Sequence, residues 1–577
     1  MARFTSPALR IALAFGAAVL GASLIYATFG QPHIGIDDAN IIFTYARNLA
    51  AGEGLVWTPG YERVEGFSTL AWTLLSSLAF GLSPWPEQSL GVLSVLLCGV
   101  TLAAVLAIVE ALCAASSRGG SQRAGLDVSA RLLPYLLAFG WFLAIPGFYA
   151  WTTTTLMESA LWAALIGLAA LVLVSDATGR WSGRRANVGL AGVVAAMVLT
   201  RPEGLALGPF LVVLAVVGAA GRVGGAGRAL RRFLPALVVV GATIAGLTLF
   251  RLLYFGYPLP NTYYAKVSPD RVYTALDGAR YLFDFWKTQP PAALLSLVAL
   301  VAALRSGRRV ASGLRAGATS LAPRDSAVFA VSCIVLAGLA LPLAEGGDFF
   351  GAQRFYQPFV PLMIVPLVGL LTGADGRLRP RPRPLLVGAL SLALALLVAW
   401  AWLGFIAETS LRREYRLAER GRRLGAVLNA ALPAQPRPRV AAIAVGGLGF
   451  GYEGRVVDLM GLNWTAMAHA PGDRKRMRNH AAFEPAVFWR EMPEIVTPNL
   501  LMFRPETACD LHDPFADRVL DRLLDTRRFR AHYAAGYLDT PRGAVGGYFL
   551  RSWLGAARPR DLVLFAREKA ICGPVRN

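Results

Sequence analysis

LRIALAFGAAVLGASLIYATF (Leu9–Phe29), followed by GQPHIGIDD (Gly30–Asp38), decides the fold. The first segment is largely apolar, with Arg10 its only charged residue, and about 20 apolar residues cross a bilayer core. The second ends on two adjacent carboxylates. Acids close to a membrane are costly to leave without a role. Working outward, apolar runs recur near 88–114, 131–149, 156–174, 186–200, 204–220, 233–254, 291–304, 326–344, 356–373 and 384–407. They predict a polytopic α-helical membrane protein of about 11 spans, since backbone polar groups in lipid must be satisfied within each segment. Arg3, Arg10 and Ala27 give the first run some likeness to a signal peptide, but its length and the runs behind it predict an uncleaved span.

Composition agrees: 55% of the 577 residues are hydrophobic and the mean hydropathy is +0.49. The net charge of +21 does not point to nucleic acid, because the arginines are scattered through short loops between apolar runs. One set of alternate loops holds Arg3 and Arg10, then Arg118, Arg123 and Arg131, Arg180, Arg184 and Arg185, Arg222 to Arg232, Arg305 to Arg324, and Arg377 to Arg383. Positive loops face the cytoplasm, so the N-terminus is expected there, and the Arg- and Ala-rich usage is associated with a bacterium, whose inner (plasma) membrane is the expected location. The opposite loops hold Asp37, Asp38, Glu65, Glu158, Arg201, Glu203, Asn261, Lys266, Glu345, Asp348 and Arg354. Counting 67–82 as a crossing would invert this asymmetry, so it is expected as a re-entrant or partly buried helix on the outer side.

Residues 1–407 are expected to form the membrane domain, with a first outer loop at 30–87, and 408–577 an extracytoplasmic α/β domain. A charged helix over 411–432 precedes strand patterns at 439–445, 456–460, 548–554 and 562–566, with helix near 517–524. GGLGFGYEG (446–454) reads as a glycine-rich turn without the spacing or lysine of a nucleotide loop. Cys509 and Cys572, in a compartment that permits disulfides, are expected to pair. The five histidines lack zinc-ligand spacing. Residues 39–50 read as a helix lying on the membrane surface with its stripe at Ile41, Tyr45 and Leu49. Asp37 and Asp38 suit a general base, a helix cap or a divalent-cation site, and the sequence leaves all three open.

IDDANIIFTYARNLAAGEGLVWTPGYERVEGF (36–67) resembles the first outer loop of the GT-C membrane glycosyltransferases, most of all the mycobacterial terminal arabinofuranosyltransferase group. MESALWAAL (157–165), TRPEGL (200–205), LPNTYYAKV (259–267), GGDFFGAQRFYQPFVPLM (346–363) and DLMGLN (458–463) extend the likeness over nearly the whole chain. The resemblance implies inverting transfer of a sugar, with arabinofuranose in the lead, from a polyprenyl-phosphate donor to a cell-envelope glycan. A first-loop aspartate, Asp37 or its neighbour Asp38, would be the base. Asn463 and Trp464 stand where that group has an acidic or polar residue, and this bears on the acceptor.

A lipid phosphate leaving group calls for cations, and Lys266, Arg354 and Arg201 are the candidates. Glu65, Glu158, Glu203, Asn261, Tyr263, Asp348 and Asp458 are candidates for sugar or acceptor contacts. Arg201 also suits an ion pair with Glu203 or Glu158, and Asp458 a turn. The aromatics around 349–356 suit an interfacial belt, and Arg47 an interfacial anchor. A flippase or transporter of lipid-linked sugar is the competing reading, but it would place ionisable groups near the membrane midplane. A glycan-binding assembly protein without chemistry is the third.

Overall fold

The computed structural model describes residues 6–30, 33–115, 128–315, 322–372, 384–408, 410–432, 436–472, 474–478, 482–500, 502–503, 513–541, 543–557 and 561–565. The expected disulfide, Cys509 to Cys572, lies outside them.

The helical part runs α1 (Pro7–Phe29), α2 (Asp37–Ala50), α3 (Leu70–Leu82), α4 (Pro86–Ala115), α5 (Val128–Leu143), α6 (Pro146–Tyr149), α7 (Ser159–Ala177), α8 (Gly183–Thr200), α9 (Gly204–Ala220), α10 (Ala226–Tyr254), α11 (Asn261–Lys266), α12 (Arg271–Thr288), α13 (Pro290–Arg315), α14 (Pro323–Glu345), α15 (Ile364–Leu371) and α16 (Pro384–Ile406). Every apolar run of the sequence carries helix. Among the described residues seven helices (α1, α4, α7, α10, α13, α14 and α16) are long and apolar enough to cross a membrane. An eighth candidate is the pair 132–143 and 146–154, bent by 62°. The expected count of about 11 therefore falls to seven or eight by length and composition. α8 carries Arg184 and Arg185 in its first turn, and α9 and the 357–371 segment are short. The chain is a multi-pass membrane protein. α3 has 13 residues, about 20 Å at 1.5 Å per residue, and is too short for a 30 Å core on its own.

The bend after α5 leads into a π-helical turn, Ala150–Thr154. Thr152, Thr153, Thr154 and Thr155 each donate a hydroxyl hydrogen bond to the carbonyl four residues back, at 2.6 to 2.8 Å. Such back-bonding competes with the ordinary ladder and loosens the helix. The Thr155 carbonyl then accepts the Ile36 N–H at 3.2 Å, which fixes the start of α2.

α17 (Ser410–Ala431) leads into a mixed seven-stranded sheet ordered β2-β1-β3-β6-β5-β7, with β4 beside β6. β1 (Val440–Ala442) pairs in parallel with β2 (Val456–Asp458) and β3 (Ile495–Val496). β4 (Met502–Phe503), β5 (Tyr533–Leu538), β6 (Ala544–Leu550) and β7 (Leu562–Leu564) pair antiparallel. The expected strand at 548–554 stops at Leu550 and turns into helix. The glycine-rich 446–454 segment starts as a short helix, α18 (Gly446–Gly451), rather than a turn.

Candidate functional site

α2 is not the surface helix its stripe suggested. It packs against α3, α17 and α18, and Ala39 through Ala46 are all buried. Polar side chains on it face protein instead of headgroups. Arg47 donates to the Phe450 carbonyl at 2.8 Å and lies over the Phe450 ring, so it is not an interfacial anchor. Asn40 accepts from Arg422 at 2.6 Å. The Tyr45 hydroxyl donates to Val64 O at 2.8 Å and stands 3.1 Å from Asn463. The first loop is thus held between the helical bundle and the sheet-bearing region.

This placement separates the two aspartates. The carboxylate oxygens of Asp37 accept the Gly446 and Gly447 N–H groups, at 3.0 and 2.8 Å. Burial pushes its carboxyl up to about 6, against the pull of those two bonds. Gly446 has to be glycine here, because a Cβ would sit 1.8 Å from the Asp37 carbonyl oxygen. Asp38 instead lines a cavity of about 420 Å³, within the size range of small-molecule sites. The pair does not converge on one point, and among the described residues no three His, Cys, Asp or Glu side chains are grouped to hold a metal ion.

Lys266, Arg354, Arg201, Glu158, Glu203 and Tyr263 line the same cavity. They come from α11, the 346–356 turn and the segments around 158 and 201–203. Arg354 pairs with Asp348 and lies 3.6 Å from Asp38. Its guanidinium stacks against Phe350 and Phe355, 4.5 and 5.1 Å from the ring centroids. Those rings and Tyr356 are buried, so this part of the expected aromatic belt is core. Arg201 is clamped by Glu158 and, at 2.6 Å, by Glu203. These carboxylates, with Asp348 and Asp38 for Arg354, hold both guanidiniums in the charged form despite burial.

Lys266 differs. Among the described residues it makes no ion pair within 4.0 Å, and its ammonium belongs to the cavity wall. Burial lowers its pKa, partly countered by Asp38. Lys266 is half-buried in the cavity wall, and an ammonium there without an ion-pair partner is poised to take an anion.

Other candidates stand behind the wall. Glu65 pairs with Arg251 at 2.9 Å, and burial lifts its carboxyl to about 7. Asn261 donates to the Gly461 and Leu462 carbonyls at 2.8 and 2.9 Å and ties α11 to the sheet-bearing region. Asp458 accepts from Met460 N, Asn463 N and the Asn463 side chain, each at 2.9 Å, which is the turn-forming arrangement. Sequence reasoning missed Arg251 and Arg271, both in the cavity lining, and Glu414 on α17. Burial, with Asp38 and Asp37 nearby, pushes the Glu414 carboxyl up to about 8. Arg251 hid at the end of an apolar run, where a lone arginine reads as a flank.

No family profile and no curated protein matches the chain. Two solved structures are similar to it: ArnT from Cupriavidus metallidurans in the apo state (13% identity, TM-score 0.47, covering 93% of this chain and 98% of that one), and the same protein bound to undecaprenyl phosphate (12%, 0.46, 94% and 98%).

Proposed function

We propose that the chain is an inverting glycosyltransferase of the GT-C type that uses a polyprenyl-phosphate sugar at the outer face of the inner membrane. One observation carries this reading: Asp38, Lys266, Arg354 and Arg201, far apart in sequence, line one cavity. Residues 1–407 would carry the reaction and 408–577 would cap it outside the cytoplasm.

In this reading Asp38, rather than Asp37, is the base. Its carboxylate takes the proton from an acceptor hydroxyl as that oxygen attacks the anomeric carbon. The bond from that carbon to the phosphate oxygen breaks, and polyprenyl phosphate leaves with the electron pair. Lys266 binds the phosphate and offsets the charge that grows on it, with Arg354 and Arg201 behind. Asp37 positions Asp38 through the Gly446 and Gly447 amides. Glu158, Glu203 and Asp348 orient the guanidiniums. Tyr263, 37% exposed at the rim, is placed to meet sugar.

Arabinofuranose is the lead donor sugar and a cell-envelope glycan the acceptor, both from the motif likeness in the outer loops. The test is purified full-length protein with a panel of polyprenyl-phosphate sugars, scored for transfer and hydrolysis. Turnover of one donor, lost in Asp38→Asn, is expected. Equal turnover in that variant, or none with any donor, would overturn the proposal.

A further inference from the structure

A second cavity, of about 210 Å³, lies across the 346–356 turn from the first. Ala352 and Gln353 line it, while the next two residues, Arg354 and Phe355, line the first cavity. One turn is therefore the wall between the two. That wall is pinned from three sides. The Trp151 indole donates to Gly351 O at 3.1 Å, Gln357 donates to Ala352 O at 2.5 Å, and the Thr288 hydroxyl donates to the Gln353 side-chain oxygen at 3.1 Å. Ala352 and Gln353 both adopt left-handed backbone, with φ of 54° and 42°, a conformation held only when the surroundings enforce it.

The lining divides by chemistry. Thr288, Gln353 and Glu408 are polar, and the cavity wall has no Lys, Arg or His. Leu397, Trp400 and Phe405 are apolar and belong to α16. Only 6% of the apolar window of α16 is buried. A helix so exposed in a membrane protein meets lipid, and the cavity lies beside it. The break between α5 and α6, with Ala144 and Pro146 in the lining, forms the opposite side. The volume is below that of a whole small-molecule site and suits a length of hydrocarbon chain. Its only charged lining residue is an acid.

We infer that this second cavity binds the hydrocarbon chain of a bilayer lipid with an amine-bearing headgroup, the amine lying toward Glu408. The inference does not depend on the proposed reaction. It makes the 346–356 turn a partition between a cationic site and an acidic one.

Full-length protein in detergent, incubated with phosphatidylethanolamine or phosphatidylglycerol and examined by native mass spectrometry, tests it. One phosphatidylethanolamine should stay bound at collision energies that strip phosphatidylglycerol. A Cβ on Gly404, in the lining, meets nothing within 4 Å, so Gly404→Phe should fill the space and cut retention at least tenfold. Gly388→Phe, equally open on the same helix but outside the lining, should retain the lipid. Glu408→Gln should abolish the preference between headgroups. Full retention in Gly404→Phe, or an unchanged preference in Glu408→Gln, would overturn the inference.

Discussion

The two ends of the helical bundle use the same residue types to opposite effect. At the arginine-rich end Arg10 and Arg180 share Glu110, Arg222 and Arg232 share Asp176, and Arg309 pairs with Asp325. Each acid is met by one or two guanidiniums, and none of these side chains lines either cavity. At the other end Arg201 and Arg354 are likewise held by acids, yet the cluster encloses a cavity and leaves Lys266 without an ion pair among the described residues. Saturated charges fix helix ends. In the proposed function, a cation without an ion pair, beside a carboxylate in a cavity wall, is where the donor phosphate would bind.

The largest break in that comparison should come from Asp38→Asn. Loss of a general base costs about 10²- to 10⁴-fold, so transfer should fall into that range while donor binding persists, as read by rate and by ligand-induced thermal shift. Lys266→Ala should reduce kcat by about 10²-fold or more and also weaken binding of polyprenyl phosphate, with Lys266→Arg between the two in a binding titration. Asp176→Ala probes the opposite end. It leaves Arg222 and Arg232 side by side without their counter-ion, and the cost should be about 2–3 kcal/mol, between the surface and buried limits. Denaturation should register that loss, while turnover per folded molecule stays at the parent value.

The smallest effect concerns pH. Asp37 and Asp458 are raised from 3.8 to about 6 in the folded protein. The folded state therefore binds more protons than the unfolded one between those values. Their contribution to stability is full below pH about 4 and is lost as pH rises through about 6. A Tm series over that window should slope downward, and Asp458→Asn should flatten the slope.

Much of this was legible from residues alone. The apolar runs named the helices, and the alternation of arginine loops with acidic, aromatic ones separated the two ends before any contact was known. Glu158 with Arg201 and Asp348 with Arg354 were readable as neighbours because each pair sits in loops of the same face. What stayed hidden depends on tertiary packing. Asp37 and Asp38 are chemically identical in sequence, and only the docking of Gly446 and Gly447 on α2 decides which one faces the cavity. The stripe on α2 is equally consistent with a membrane surface and with burial under α17 and α18. β3 and β4 have two residues each, too few for periodicity to register.

The proposed chemistry needs a phosphate seat beside Asp38. Cryo-electron microscopy of the full-length protein with polyprenyl phosphate examines it most directly. Phosphate density within about 4 Å of the Lys266 ammonium, next to Arg354 and Asp38, is the predicted result. Phosphate density elsewhere, away from Lys266, would contradict it.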